Sequence, residues 1–345
     1  MTSAITSSRS IEEVLAVVGS ARPQELNEIS MSAGITRIAQ LQQTLHASHL
    51  QTGAFKTLLE GMSNCLRNPS VQPAVVASIL WAIASARNDA PELQQLLSAA
   101  VFGLQSSAAE MQQREVTNSI WAIATLHTYV PQARSSLNIE ATCELFASKK
   151  AAFAKIGHVQ AAGNALWALG RLKTVALPPF REHLQPILLE RCREVLACDV
   201  FEVDRTVRLT GVARIAWALS LLECREETII GRVRELFLQV APQYSDNRLM
   251  PFVDVLCALA KLHMPDGGLL EVVASRTWPV KSMRDWDLCA LAWAHETLDS
   301  QKDFSTFHIM LRKEIASRGL TERHVLHSQF GYEEWQNLDG ERKAS

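Results

Sequence analysis

One phrase recurs along this chain and limits its fold more than any other feature. It reads ILWAIASAR at 79–87, SIWAIATLH at 119–127, ALWALGRLK at 165–173, IAWALSLLE at 215–223, VLCALAKLH at 255–263 and DLCALAWAH at 287–295. Anchored on Trp81, Trp121, Trp167, Trp217, Cys257 and Cys289, successive copies stand 40, 46, 50, 40 and 32 residues apart. A degenerate copy, GITRIAQL at 34–41, puts Thr36 at the anchor. Repetition on this scale marks stacked supersecondary units, because one such unit cannot bury its apolar face alone.

A second amphipathic segment accompanies the phrase. Leu93, Leu96, Leu97, Ala100, Val101 and Leu104 fall at i, i+3, i+4, i+7, i+8 and i+11, which is helical periodicity. Leu184 to Leu196 and Ile229 to Val240 show the same spacing. Turn residues separate the members of each pair: Asn88, Asp89 and Pro91; Pro178 and Pro179; Pro265 to Gly268. The expected fold is all-α, a right-handed α-solenoid of about seven two-helix repeats of roughly 40 residues. Its expected divisions are a disordered segment at 1–9, the solenoid at 10–300, a capping helix at 301–328 and a loosely ordered tail at 329–345. The anchor tryptophans are expected in the seams between units, since a buried Trp removes ~150–250 Å² from water.

Composition then excludes classes. No apolar stretch approaches the ~18 residues needed to cross a bilayer, so no membrane is expected as a partner. The seven cysteines form no CxxC pair and mostly sit in apolar periodic runs, where a thiol behaves as a small hydrophobe. That suits a reducing compartment. Glycine-rich phosphate loops, nucleophile elbows, HExxH and zinc-type Cys/His spacings do not occur. His46 with His49 and His324 with His327 form HxxH pairs, read as surface or capping histidines. Neither catalysis nor a cofactor is expected.

Stacked repeats align equivalent positions, and two of these are polar. Six residues past the anchor stand Arg87, His127, Lys173, Glu223, His263 and His295. Their first reading is helix C-terminal capping, worth ~0.3–1 kcal/mol each; the second is a ladder of phosphate donors. Three residues before the anchor stand Ser78, Asn118, Asn164, Arg214, Asp254 and Trp286, read first as local backbone partners and second as readers of base edges. Residues 145–181 also hold Lys149, Lys150, Lys155, Arg171, Lys173 and Arg181 with no acid, followed by Arg205 and Arg208 one turn apart. Such a run attracts a polyanion through counterion release. A solvated helix face is the alternative.

With these residues in hand, SIWAIATLH, ALWALGRLK and VLCALAKLH resemble the LLWALAKLG signature of octotricopeptide repeats. The signature is shared by the helical-repeat parts of RAP-domain proteins, FAST-kinase-like proteins and subunits of RNA-editing substrate-binding complexes. The likeness covers about residues 10–300, and no strand-rich region like a RAP domain follows Ser300. It implies a non-catalytic binder of single-stranded RNA, not DNA, in mitochondria or plastids. Its roles there would be RNA processing, stability, editing or translation, with other proteins of an RNA-processing or ribosomal complex as further partners. The RNA-binding residues expected are Lys149, Lys150, Lys155, Arg171, Lys173, Arg205, Arg208, Arg87 and His127. The alternative is a protein-interaction scaffold of the HEAT or armadillo kind, which the near-neutral net charge of −2 favours.

Overall fold

A computed structural model describes residues 1–42, 46–87, 90–173, 175, 178–198, 205–241, 250–275, 280–298 and 306–329. Every regular element among them is helical. The chain begins with α1 (Thr2–Ser7), α2 (Ile11–Ser20), α3 (Glu28–Gln40), α4 (Ala47–Leu50) and α5 (Gly53–Leu66). It continues with α6 (Pro73–Ala86), α7 (Pro91–Ser107), α8 (Gln113–Tyr129), α9 (Arg134–Leu137) and α10 (Ile139–Ser148). Next come α11 (Lys150–Phe153), α12 (Val159–Leu172), α13 (Pro178–Ala197), α14 (Arg205–Leu221) and α15 (Glu227–Val240). The last are α16 (Met250–Leu262), α17 (Leu269–Ala274), α18 (Asp285–Leu298), α19 (Thr306–Ser317) and α20 (Glu322–His327).

The helices group into two compact units. The first comprises Met1–Ile156 with Arg171–Leu188, the second Gly157–Gly170 with Leu189–Ser345. Within the first, α1 packs on α3, α3 on α6 and α6 on α8, while α2 packs on α5 and α5 on α7. Within the second, α14 packs on α16 and α16 on α18, while α15 packs on α17 and α17 on α19. Each principal helix thus meets the next but one in the chain. The seven anchor positions, from Thr36 to Cys289, fall in α3, α6, α8, α12, α14, α16 and α18.

Helix starts follow the sequence. Ser10 accepts from the Glu13 amide at 3.3 Å, Asn27 from Ser30 at 3.0 Å and Thr52 from Phe55 at 3.2 Å. Proline opens α6 and α7, where the missing N–H has no partner to lose. In all six clear copies of the phrase the alanine after the anchor is buried: Ala82, Ala122, Ala168, Ala218, Ala258 and Ala290. The anchor itself is less uniform. Trp167 and Trp217 are buried at 7% and 8% exposure, Cys257 and Cys289 are fully buried, and Trp81 and Trp121 are half-buried.

In the second unit α12 and α14 meet through glycine. A Cβ on Gly163 would stand 2.7 Å from the Gly211 carbonyl oxygen, and one on Gly211 would stand 2.7 Å from Val159. Only hydrogen side chains allow so close an approach.

Both ends of the chain carry more structure than the sequence predicts. Residues 1–9, expected to be disordered, contain α1, whose Ile5 is fully buried. Arg37 of α3 fixes this helix by donating from Nε and Nη2 to the Ser8 carbonyl at 2.8 and 2.6 Å. In place of a single capping helix within 301–328, the described residues there form two, α19 and α20. Arg318 ties α19 to the start of α18, donating to the carbonyls of Met283 and Lys281 and pairing with Asp285 at 2.7 Å. Arg312 bridges Glu296 and Glu322. Residues 330–345 of the expected tail lie outside the described residues.

Candidate functional site

In three of the six copies the position six residues past the anchor is a helix terminator, while His127 and His295 lie within the last turns of α8 and α18. Arg87, Glu223 and His263 all adopt left-handed backbone, with φ of 45°, 55° and 51°. Beside Glu223, the Cys224 amide bonds the Leu219 carbonyl at 3.0 Å and Glu223 bonds Ser220 at 3.3 Å. Beside His263, the Met264 amide bonds Leu259 at 3.0 Å and His263 bonds Ala260 at 3.1 Å. These paired 6→1 and 5→2 bonds form the Schellman motif, in which glycine usually occupies the left-handed site. At Arg87, Glu223 and His263 capping is therefore the structural duty, carried by the left-handed backbone and not by cationic side chains. His295, the last of the row, is buried at 2% exposure with its ring centroid 4.7 Å from that of His308.

The basic residues expected to hold RNA fall into separate groups. Lys149 is half-buried at the α10–α11 junction, its ammonium donating to the Ala109 carbonyl at 3.1 Å. Lys150 and Lys155 flank the same short helix and are exposed. Ala109 lies just before α8, so this group marks the helix's N-terminal end. Arg87 and His127 mark its other end, ~25 Å away at 1.5 Å per residue. There the Arg87 guanidinium lies 3.9 Å from the centre of the Tyr129 ring. The His127 imidazole is held below its ordinary range by burial, with Arg134 adding to the effect, and so stays neutral. Arg171 and Lys173 are half-buried at the C-terminal end of α12, whereas Lys155 precedes its first turn. Arg205 and Arg208 belong to the first turns of α14, and their side chains lie outside the described residues.

The row three residues before the anchor forms a connected polar face in the second unit. Arg214 of α14 donates to the Asn164 side chain of α12. Asp254 of α16 is half-buried, and Arg214, Asp287 and Arg284 all act on it electrostatically. Burial pushes its carboxyl up to about 7, outweighing the opposite pull of Arg214. Arg284 forks onto Asp287, with Nε and Nη2 at 2.8 and 2.9 Å from the two carboxylate oxygens. Two turns beyond Asp254, the Lys261 ammonium stands 5.9 Å from the centre of the Trp217 ring. In the first unit the equivalent residues, Ser78 and Asn118, are half-buried and uncharged.

Asp254 is the one acid in a row whose other members are uncharged or basic.

Other chemistry is local. A groove of about 350 Å³ between α5 and α7 is lined by Lys56, Glu60, Arg67 and Glu92 among others. His49 and His324 accept at Nδ1 from the amides of His46 and Thr321, each at 3.0 Å, and so cap short helices. Burial pushes the thiols of Cys143 and Cys192 up to about 12, which leaves them protonated and weakly nucleophilic. Among the described residues no group of three or more His, Cys, Asp or Glu is placed to hold a metal, and no helix is long and apolar enough to cross a membrane. In comparisons with known proteins, no family model and no curated protein matches the chain.

Proposed function

We propose that this chain is a non-catalytic helical-repeat protein that binds single-stranded RNA. It acts in organellar RNA processing, stability, editing or translation, in mitochondria or plastids. Its units form a right-handed solenoid of about seven helix pairs. The observation that carries the reading is the row Asn164, Arg214 and Asp254, in which equivalent repeat positions present half-buried polar groups on successive helices. Neighbouring helix axes stand ~8–10 Å apart. A polymer of regular spacing is the ligand that such a regular row fits. Resemblance of the repeat phrase to octotricopeptide repeats supports the same class, and other proteins of an RNA-processing or ribosomal complex are its further partners.

In this mechanism phosphates position the strand and bases specify it. Exposed Lys150 and Lys155 serve the first role, with Arg87 stacked on Tyr129 as a second cationic contact. A filter-binding titration against single-stranded RNA at two salt concentrations tests the reading. Affinity should fall steeply with salt, by ~0.7 in log slope per phosphate contact. Replacing Lys149, Lys150 and Lys155 together by Glu should weaken binding about tenfold or more. Unchanged affinity in that variant, or no binding at low salt, would count against the assignment.

One observation favours a second reading, a HEAT- or armadillo-like scaffold. The groove between α5 and α7 alternates Lys56 and Arg67 with Glu60 and Glu92, a mixed lining suited to a peptide and poorly suited to a polyanion. RNA-free protein that captures a defined peptide through this groove, with charge reversal at Lys56 and Arg67 abolishing capture, would establish it.

A further inference from the structure

Three of the four histidines buried among the described residues stand at the C-terminal end of the second unit: His295 on α18, His308 on α19 and His324 on α20. None is more than 5% exposed. Both α19 and α20 pack on α18. Buried imidazole on all three helices makes this end of the fold responsive to acid, whether or not the chain binds RNA.

His295 and His308 meet across α18 and α19 with ring centroids 4.7 Å apart. Two imidazolium rings at that separation, away from water, repel each other, and each loses its hydration. One proton has a favourable place, because His308 Nε2 lies 3.2 Å from the Glu296 carboxylate. Arg312 Nε already donates to the same oxygen at 2.6 Å, so part of that charge is matched. A second proton, on His295, would stand against the first at ring contact.

His324 is kept neutral by a different constraint. Its Nδ1 accepts from the Thr321 amide at 3.0 Å, at the start of α20. A backbone N–H can only donate, so Nδ1 must keep its lone pair and the ring's hydrogen lies on Nε2. A proton on Nδ1 would break the cap of a helix only six residues long.

We propose that α19 and α20 form an acid-sensitive latch on α18, closed at neutral pH and opening in mild acid, because His295 and His324 take up protons only when the two helices come away. In the opened chain each ring titrates near ~6.5, whereas the closed form resists the proton. Stability of the latch is therefore complete above that value and is lost as pH falls below it. The charged and titratable groups on the elements packed there are Glu296 on α18, Arg312 and Lys313 on α19, Glu322, Arg323 and His327 on α20, Lys261 and His263 at the end of α16, and Glu271 on α17. Arg312 holds the Glu322 carboxyl below its usual range, and His308 adds a smaller pull, so Glu322 stays ionised while the rings respond. Asp285, Glu314 and Arg318 pair with one another near the start of α18, beside Lys281.

Hydrogen exchange of the full chain, read by mass spectrometry and corrected for the intrinsic rate at each pH, measures the opening. Between about pH 7.5 and about pH 5.5, protection of α19 and α20 should fall about hundredfold, about tenfold for each of the two rings. The control is α15, which packs on α14 and α17, helices without histidine; its protection should not fall. His324→Gln keeps an acceptor at the third helical position and should reduce the fall to about tenfold, as should His295→Gln. The double variant should show none. A fall of less than about threefold in the unaltered chain overturns the latch. So does an equal fall in α15, which would be unfolding of the whole unit, or a fall that persists in the double variant. The ratio in the unaltered chain decides the matter even where a variant fails to fold.

Discussion

The two units use the same phrase, yet they treat its anchor differently. In the first, Trp81 and Trp121 keep part of their rings in solvent. In the second, Trp167 and Trp217 are buried, and where cysteine replaces tryptophan it is buried completely. The alanine that follows is buried in both units without exception. The fixed element of the phrase is therefore the small residue that lets one helix approach the next, and the large ring fills whatever space that approach leaves. Contact of Gly163 with the Gly211 backbone shows how far the second unit takes that approach. Its polar row differs too: Ser78 and Asn118 in the first unit, Arg214 and Asp254 in the second.

The strongest way to break this comparison is to truncate the ring in each unit. Trp167→Ala should destabilise the protein by ~3–5 kcal/mol, the range for a buried aromatic. Trp121→Ala, whose ring is already partly wet, should cost about half as much. Urea unfolding followed separately in each unit would measure both, since a chain of two units need not unfold in one step. Equal losses would mean that the two rings do the same work and that the contrast in exposure has no energetic meaning.

These contrasts were only partly legible in the sequence. The helices and their buried faces were legible, because an apolar residue at 3.6-residue spacing has one side on which to hide, and Ala82 through Ala290 obeyed that pattern. Burial of the anchor was not, because it depends on how closely the next helix approaches, and Gly163 and Gly211 are far apart in sequence. The spread of the basic run at 145–181 was not legible for a similar reason. That stretch turns through α10, α11 and the whole of α12, so residues near one another in sequence end at opposite helix termini. The left-handed caps gave no signal because Arg87, Glu223 and His263 stand where glycine would have announced them. Asp254 was visible as a member of the polar row, but its desolvation comes from neighbours on α14 and α18.

A second test uses the polar row and turns on pH. The Asp254 carboxyl is raised in the folded protein to about 7, whereas an unfolded Asp titrates near ~3.9. Below the lower value both states are protonated, and the group contributes nothing. As pH rises between the two values the unfolded state ionises first, so Asp254 destabilises the fold increasingly, and the penalty is complete above the higher value. Asp254→Asn should remove it. Allowing for partial exposure of the side chain, the gain should be ~1–2 kcal/mol at about pH 8 and should vanish near pH 4. Asn118→Asp in the first unit sharpens the contrast: a new acid there should behave like Asp254 only if that face is equally desolvated.

The smallest expected effect separates the units at their helix ends. A left-handed backbone disfavours any side chain by ~1–2 kcal/mol, and glycine's greater freedom when unfolded offsets ~0.5–1 kcal/mol of the relief it brings. Glu223→Gly and His263→Gly should therefore each stabilise the second unit by ~0.5–1 kcal/mol. Arg87→Gly relieves the same strain in the first unit, but it also removes the guanidinium from the Tyr129 ring, a contact worth ~0.5–1 kcal/mol at an exposed site. Its net effect should lie near zero. Denaturation midpoints at unchanged slope are sensitive enough to distinguish the cases. If Arg87→Gly stabilised as much as the other two, the Arg87–Tyr129 stack would contribute nothing to the fold, and Arg87 could turn toward a phosphate without loss.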